Sequence, residues 1–233
     1  NGGDVTQLFQ ALKTVETPCG TYAVMGNHER GQADSLARKA MQETGVHLLE
    51  HKVDTLWRGK EYILLCGIRN PFDLKQNGVS PTLALQEEDF VLMLVHTPDY
   101  VEDVNVAHTD LALAGHTHGG QVSLFRRWTP AHFSKYGNRF LTGLKYNSAG
   151  IPVIITNGLG TSRKDVRLFT PHGGAEVLQG DAQFVGIELR AAFAGIVFDD
   201  ELHQFAAYFL FPALIPFLHL RTVAIHSVYA AEE

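Results

Sequence analysis

Three times in this chain a short apolar run stops at a glycine or histidine and delivers a neutral metal-binding side chain. Thr21-Tyr22-Ala23-Val24-Met25 runs into Gly26-Asn27-His28-Glu29, and Phe90-Val91-Leu92-Met93-Leu94-Val95 runs into His96-Thr97-Pro98. Leu111-Ala112-Leu113-Ala114 runs into Gly115-His116-Thr117-His118-Gly119-Gly120-Gln121. Runs this short, bounded by turn residues, read as buried strands. Three such strands ending in imidazole or amide groups predict parallel strands that open on one edge of a sheet, where open α/β sheets place their sites.

The remaining pattern supplies the helices that a parallel sheet needs. Val5, Leu8, Phe9, Leu12 and Val15 recur at helical spacing and predict an amphipathic helix over 5–15, which enters the first strand through Pro18 and Gly20. A second helix is predicted over 36–44, closed by Gly45. Strands are predicted over 46–49, 53–57 and 62–66, the last two joined by a turn at Arg58-Gly59-Lys60. The stretch 70–81 reads as loop, 82–86 as a short helix, 100–106 as helix and 125–146 as ordered loop. A strand over 151–156, a turn at 157–161 and a last strand over 166–169 follow. Alternating strands and helices define an α/β class with helices on the outer faces of the sheets. No internal repeat or low-complexity segment is visible.

At 233 residues the chain is one domain, or one domain with an appendage. The division falls near 171: residues 1–171 carry all the motifs, whereas 172–233 form an apolar appendage interrupted by Pro212 and Pro216. If unpacked, that appendage would expose apolar surface and favour peripheral membrane contact. A formal charge of −6 argues against a non-specific nucleic-acid binder, which needs a basic surface. Cys19 and Cys66 stand far apart in no paired motif and read as buried thiols rather than a disulfide or zinc knuckle. No apolar stretch reaches the roughly 20 residues of a membrane-spanning helix. The chain opens on Asn1-Gly2-Gly3-Asp4, without a methionine or signal peptide, and reads as cut. A cytoplasmic or membrane-associated location follows as the expectation.

Imidazole nitrogen suits zinc, iron and manganese, and an amide oxygen suits the harder members of that set. At a strand-to-loop turn His116 and His118 can diverge toward two metals, and Gly115, Gly119 and Gly120 allow the unusual backbone angles of such a turn. Each piece alone is weak, because a lone histidine after a strand is more often structural. Together, Gly-Asn-His-Glu, His-Thr-Pro and Gly-His-Thr-His-Gly-Gly-Gln are far more specific. His47, His51, His108 and His132 read as surface or hydrogen-bonded structural residues, and Trp57 and Trp128 as packing residues. Arg126, Arg127, Arg139 and Lys145 read as a solvated loop before a phosphate-facing or lipid-facing cluster.

On those motifs the chain resembles the calcineurin-like metallophosphoesterase superfamily, in particular its compact branch ending in Gly-His-Thr-His-Gly-Gly-Gln. The resemblance covers roughly 1–171, including Gly158-Leu159-Gly160-Thr161 and Val166-Arg167-Leu168-Phe169. It implies a metallophosphoesterase-type β-sandwich with helices outside, and two divalent ions (manganese, iron or zinc). It assigns Asn27, His96 and His116 to one metal, His118 to the other, His28 to the leaving-group oxygen and Glu29 to orienting His28. It implies hydrolysis of a phosphomonoester or phosphodiester, whose remainder is a small molecule or a lipid headgroup. Two cations clamp phosphate oxygens and lower the pKa of a water, and a histidine serves the leaving group.

The family also carries Asp-x-His and a strand-borne Gly-Asp before Gly-Asn-His. This chain has no Asp-x-His, and no apolar run precedes Gly3-Asp4, where Asp4 reads instead as a helix cap. The sandwich is therefore expected to be incomplete at its N-terminus. That departure keeps open a non-catalytic metal-binding or interaction module, an inactive fragment, and a hydrolase using one metal held by Asn27, His96 and His116.

Overall fold

The computed structural model describes residues 2–14, 17, 19–29, 31–73, 78–123, 129–158, 166–170, 196–197 and 208–210. In chain order the elements are α1 (Gly2–Lys13), β1 (Thr21–Ala23), α2 (Gln32–Thr44), β2 (His47–Leu48), β3 (Lys52–Arg58), β4 (Glu61–Gly67) and β5 (Val91–Leu94). They continue as α3 (Asp99–Asp103), β6 (Leu111–Ala114), β7 (Gly143–Tyr146), β8 (Pro152–Ile155), β9 (Ile196–Val197) and β10 (Tyr208–Leu210). Single 3-10 turns fall at Pro71–Asp73, Pro81–Ala84, His118–Gly120 and Gly137–Phe140.

The strands form two sheets. The larger runs β3-β4-β5-β6-β8-β7, with β4, β5, β6 and β8 parallel and the two edge strands antiparallel. The smaller runs β2-β1-β10-β9, with β1 parallel to β2 and antiparallel to β10. Alternation of side chains along each strand shows how the layers stack. Tyr22 and Val24 from the β1 segment meet Ile63, Leu65, Leu92, Leu94, Leu113 and Ile154 between the sheets. The opposite faces are covered by helix: Ala23 and Met25 pack on Phe9, Leu12, Ala37 and Met41 of α1 and α2. Cys66, Met93, Val95, Ala114 and Ile155 pack on Tyr100, Val101 and Phe140. The result is the α/β sandwich with outer helices that the motifs imply.

Several details differ from the sequence reading. The three motif strands do not lie in one sheet: β1 belongs to the smaller sheet and β5 and β6 to the larger. Strands apolar on both faces carry no mark of the sheet they join, so the pattern cannot separate the two arrangements. Asp4 lies within α1, so Gly3-Asp4 is helical rather than the end of a strand or a cap. Residues 166–169 make only an isolated bridge between Val122 and Leu168, and Val166, Leu168 and Phe169 are exposed. The stretch 125–146, read as loop, contains β7, whose single leucine gave no strand pattern; β7 pairs with β8 from Gly143↔Ile155 to Tyr146↔Pro152. Cys66 is buried, but Cys19 is only partly so. Among the described residues no helix is long and apolar enough to cross a membrane. Of the 172–233 segment only β9 and β10 fall among the described residues.

Candidate metal centre

The site forms where the C-terminal ends of β1, β5 and β6 converge across the two sheets. After β1 the chain turns at Gly26, whose N–H donates to the Glu29 carboxylate. A Cβ there would lie 2.7 Å from Glu29 Oε2 and 2.9 Å from His96 Cε1, so only glycine lets the turn approach His96 this closely. Glu29 is buried, Asn27 half-buried and His28 exposed. After β5, parallel pairing extends past the strand: Val95 N–H donates to the Leu113 carbonyl and Gly115 N–H to that of His96, both at 3.0 Å. These bonds fix the register that brings His96 beside His116.

The Gly-His-Thr-His-Gly-Gly-Gln segment holds five consecutive-region residues at positive φ: His116 at 70°, His118 at 52°, Gly119 at 59°, Gly120 at 77° and Gln121 at 56°. Left-handed backbone is costly for residues with a Cβ and persists where surrounding structure enforces it. The enforcement is visible here. A Cβ on Gly119 would meet Asn157 Oδ1 at 2.5 Å, and one on Gly120 would meet Thr129 Oγ1 at 2.2 Å. Thr129 in turn donates to the Gly120 carbonyl at 3.1 Å, and buried Thr117 donates to the Leu141 carbonyl at 2.6 Å.

Asn27, His96 and His116 come together. Asn27 Oδ1 lies 2.7 Å from His96 Nε2 and 3.2 Å from His116 Nδ1, and the two nitrogens are 3.1 Å apart. Burial pushes His96 well below its ordinary pKa, and the nearby His116, His118 and His28 act in the same direction. Burial likewise brings His116 down to about 4, with His118 and His28 adding to the effect and a backbone hydrogen bond to Phe133 opposing it. Both rings are therefore neutral near pH 7 and able to present lone pairs.

This donor set fits a divalent cation. Atoms bound about 2.1 Å from one ion in tetrahedral or octahedral geometry are about 3.0–3.4 Å from one another, and the observed separations lie within a few tenths of an ångström of that range. Two imidazoles and one amide oxygen form a mixed nitrogen–oxygen set suited to manganese, iron or zinc. Among the described residues no group of three His, Cys, Asp or Glu is gathered to hold a metal, and the third donor here is the amide of Asn27.

The two remaining motif histidines are His118 and His28. They are near enough to influence His96 and His116 electrostatically, but the His118 ring faces Phe133, with centroids 6.1 Å apart. A cleft of about 280 Å³ lies on the Glu29 side, lined also by Met25, Asp34, Arg38, Glu50 and Arg69. Arg38 is already taken there by Asp34 at 2.8 Å and by a bidentate pair with Glu50 at 2.6 and 2.8 Å. None of the triad lines that cleft, and the donor geometry marks the site instead.

Other candidate residues resolve simply. His51 Nδ1 accepts from the Arg69 N–H at 2.9 Å, a structural role. Arg139 forms a bidentate pair with Glu102 at 2.9 and 3.0 Å rather than an anion site. Arg126, Arg127 and Trp128 lie outside the described residues. Trp57 is a surface residue paired with Tyr62 across the hairpin, at 5.1 Å between centroids, rather than a core residue. Sequence reasoning missed Thr117, Thr129, Phe72 and Phe133. Thr117 lay in view between the two histidines, whereas Thr129, Phe72 and Phe133 reach the site from loops with no pattern of their own.

No family model matches the chain. Among curated proteins it is similar to the uncharacterized metallophosphoesterase YkoQ of Bacillus subtilis, 26% identical over 168 residues, covering 69% of this chain and 60% of that protein. It is similar to an uncharacterized metallophosphoesterase of Aquifex aeolicus, 24% identical over 177 residues, covering 73% of this chain and 65% of that protein. It is also similar to the phosphodiesterase YaeI of Escherichia coli, 29% identical over 126 residues, covering 51% of this chain and 46% of that protein. The chain thus spans less than two thirds of the length of these relatives. These similarities support the resemblance to the calcineurin-like metallophosphoesterase superfamily.

Proposed function

We propose that this chain hydrolyses a phosphomonoester or phosphodiester with two divalent cations. The reading rests above all on the convergence of Asn27 Oδ1, His96 Nε2 and His116 Nδ1 within 3.2 Å of one another. Asn27, His96 and His116 would hold one cation and His118 the second. Bound cations there would supply charge to phosphate oxygens and a nucleophilic water at neutral pH. The chain's own groups do the rest. Burial keeps His96 and His116 neutral and ready to ligate, and the glycine turns let the two motif loops approach. Exposed His28 stands beside the triad, where it would give a proton or hydrogen bond to the departing oxygen. Buried Glu29, held on the Gly26 N–H, would orient that histidine. The substrate is a phosphoester of a small molecule or lipid headgroup.

The test is hydrolysis of bis(p-nitrophenyl) phosphate with added manganese, before and after chelation. Chelator-sensitive turnover that is lost in His96→Ala supports the reading. Turnover indifferent to chelator, or retained in His96→Ala, overturns it. One alternative is a hydrolase using a single metal held by Asn27, His96 and His116, whose three donor atoms meet within 3.2 Å, and one rather than two manganese ions per active chain would establish it.

A further inference from the structure

Both histidines of Gly-His-Thr-His have a phenylalanine ring near them, and hydrogen bonds hold the backbone beside each ring. Phe72 lies 5.3 Å from His116 between ring centroids, tilted by 48°, and remains 50% exposed. Hydrogen bonds hold the backbone at and just before it: Phe72 N–H donates to the Oδ1 of buried Asn70 at 3.2 Å, and Arg69 N–H donates to His51 Nδ1 at 2.9 Å. Phe133 lies against His118 and holds φ at 52°, a genuine outlier for so bulky a residue. Its loop is anchored by Ser134 Oγ, which donates to Asp99 Oδ1 at 2.5 Å, and by Lys135 N–H, which donates to Asp99 Oδ2 at 3.0 Å. A strained, anchored aromatic beside a candidate ligand points to a role beyond packing.

We propose that Phe72 and Phe133 form an aromatic wall that selects phosphoesters carrying a planar aromatic group over those carrying an alkyl or polyol group. The inference rests on the phosphoesterase reading, which places the phosphate against His116 and His118. An ester group bonded to that phosphate meets the phenylalanine rings next to those histidines. Ring edges and faces recognise another π-system at centroid separations of about 4.5–7 Å, by offset or edge-to-face contact. A saturated group gains only the apolar contact. Neither ring ligates a cation or moves a proton, so both are specificity-determining rather than catalytic.

The experiment is calorimetric titration of the native chain, in manganese, with phenyl phosphate and with methyl phosphate, which share the phosphate and differ only in the group attached. Phenyl phosphate is expected to bind about tenfold more tightly. Phe72→Ala should bring the ratio to within about twofold, whereas Phe72→Tyr, which keeps the ring, should preserve it. Phe133→Gly relieves the left-handed backbone, so its melting temperature should not fall while the ratio shrinks. Equal affinities in the native chain, including no binding of either compound, overturn the wall. So does a ratio unchanged in both Phe72→Ala and Phe133→Gly. A phenyl preference without hydrolysis of any phosphoester leaves the wall standing and overturns the phosphoesterase reading, so the two failures are distinguishable.

Discussion

Asn27, His96 and His116 differ from His28 and His118 in how the chain positions them. The first three stand at or just beyond strand ends, and their donor atoms lie within 3.2 Å of one another. Burial holds the two histidines of that set in the neutral form. His28 is exposed, and His118 sits past a left-handed turn against a loop aromatic. Parallel pairing continued past β5 and β6 sets His96 beside His116, whereas His28 and His118 lie farther along the loops that follow β1 and β6. The triad, the candidate metal-binding half, should be preformed and resist perturbation, while the other half should depend on its loops.

The sharpest contrast comes from removing one residue of the exposed group. His28→Ala should reduce phosphoester hydrolysis by about 10²–10⁴-fold, the range for loss of a positioned proton donor. Metal content should stay unchanged, because His28 lies outside the triad. Parallel loss of metal on elemental analysis would make His28 a ligand and erase the distinction between the halves.

Gly120→Ala should cost about 2–5 kcal/mol, adding left-handed strain to a clash with Thr129, since the new Cβ would sit 2.2 Å from Thr129 Oγ1 at a φ of 77°. Urea denaturation measures it. A loss below about 1 kcal/mol, within the ordinary effect of a surface substitution or little more, would show that the turn after His118 is not held as rigidly as its geometry states.

The buried half should also leave a mark in the pH dependence of the metal-free chain. His116 titrates near 4 when folded, against about 6.5 unfolded. Its depressed value means that the unfolded state takes up the proton first. The stabilisation is complete above pH 6.5 and is lost as pH falls toward 4, by about 3 kcal/mol. His116→Gln should make the loss across that window shallower, leaving the part that buried His96 contributes. A profile as steep as that of the native chain would locate the titration elsewhere.

The smallest effect lies on the surface beside the site. Arg38 bridges Asp34 and Glu50, but its side chain is 41% exposed. Solvent screening limits such pairs, and Arg38→Ala should cost about 0.5–1 kcal/mol without changing metal content. Loss of metal would tie the Glu29-side cleft to the triad.

The same division governs what the sequence disclosed. Strand-to-motif transitions made Asn27, His96 and His116 legible, because apolar runs ending in glycine and histidine report local backbone directly. The helix closed by Gly45 was legible for the same reason, and Gly45 does take left-handed angles there, with φ 78°. Sheet membership was not legible: Tyr22 and Val24 face one layer and Ala23 and Met25 another, and all four are apolar. Nor could the 166–169 run announce that, among the described residues, it would bridge only to Val122. Phe72 and Phe133 were hidden because their roles arise from contacts made at a distance along the chain, with no periodicity to mark them.

The most direct test of the central claim is the manganese content of the chain after exhaustive dialysis, measured for the native protein, His116→Ala and His51→Ala. His116 belongs to the triad, whereas His51 serves the Arg69 backbone. The account predicts bound manganese in the native chain and in His51→Ala, and its loss from His116→Ala. Equal manganese in the native chain and His116→Ala, or none in the native chain, would contradict it.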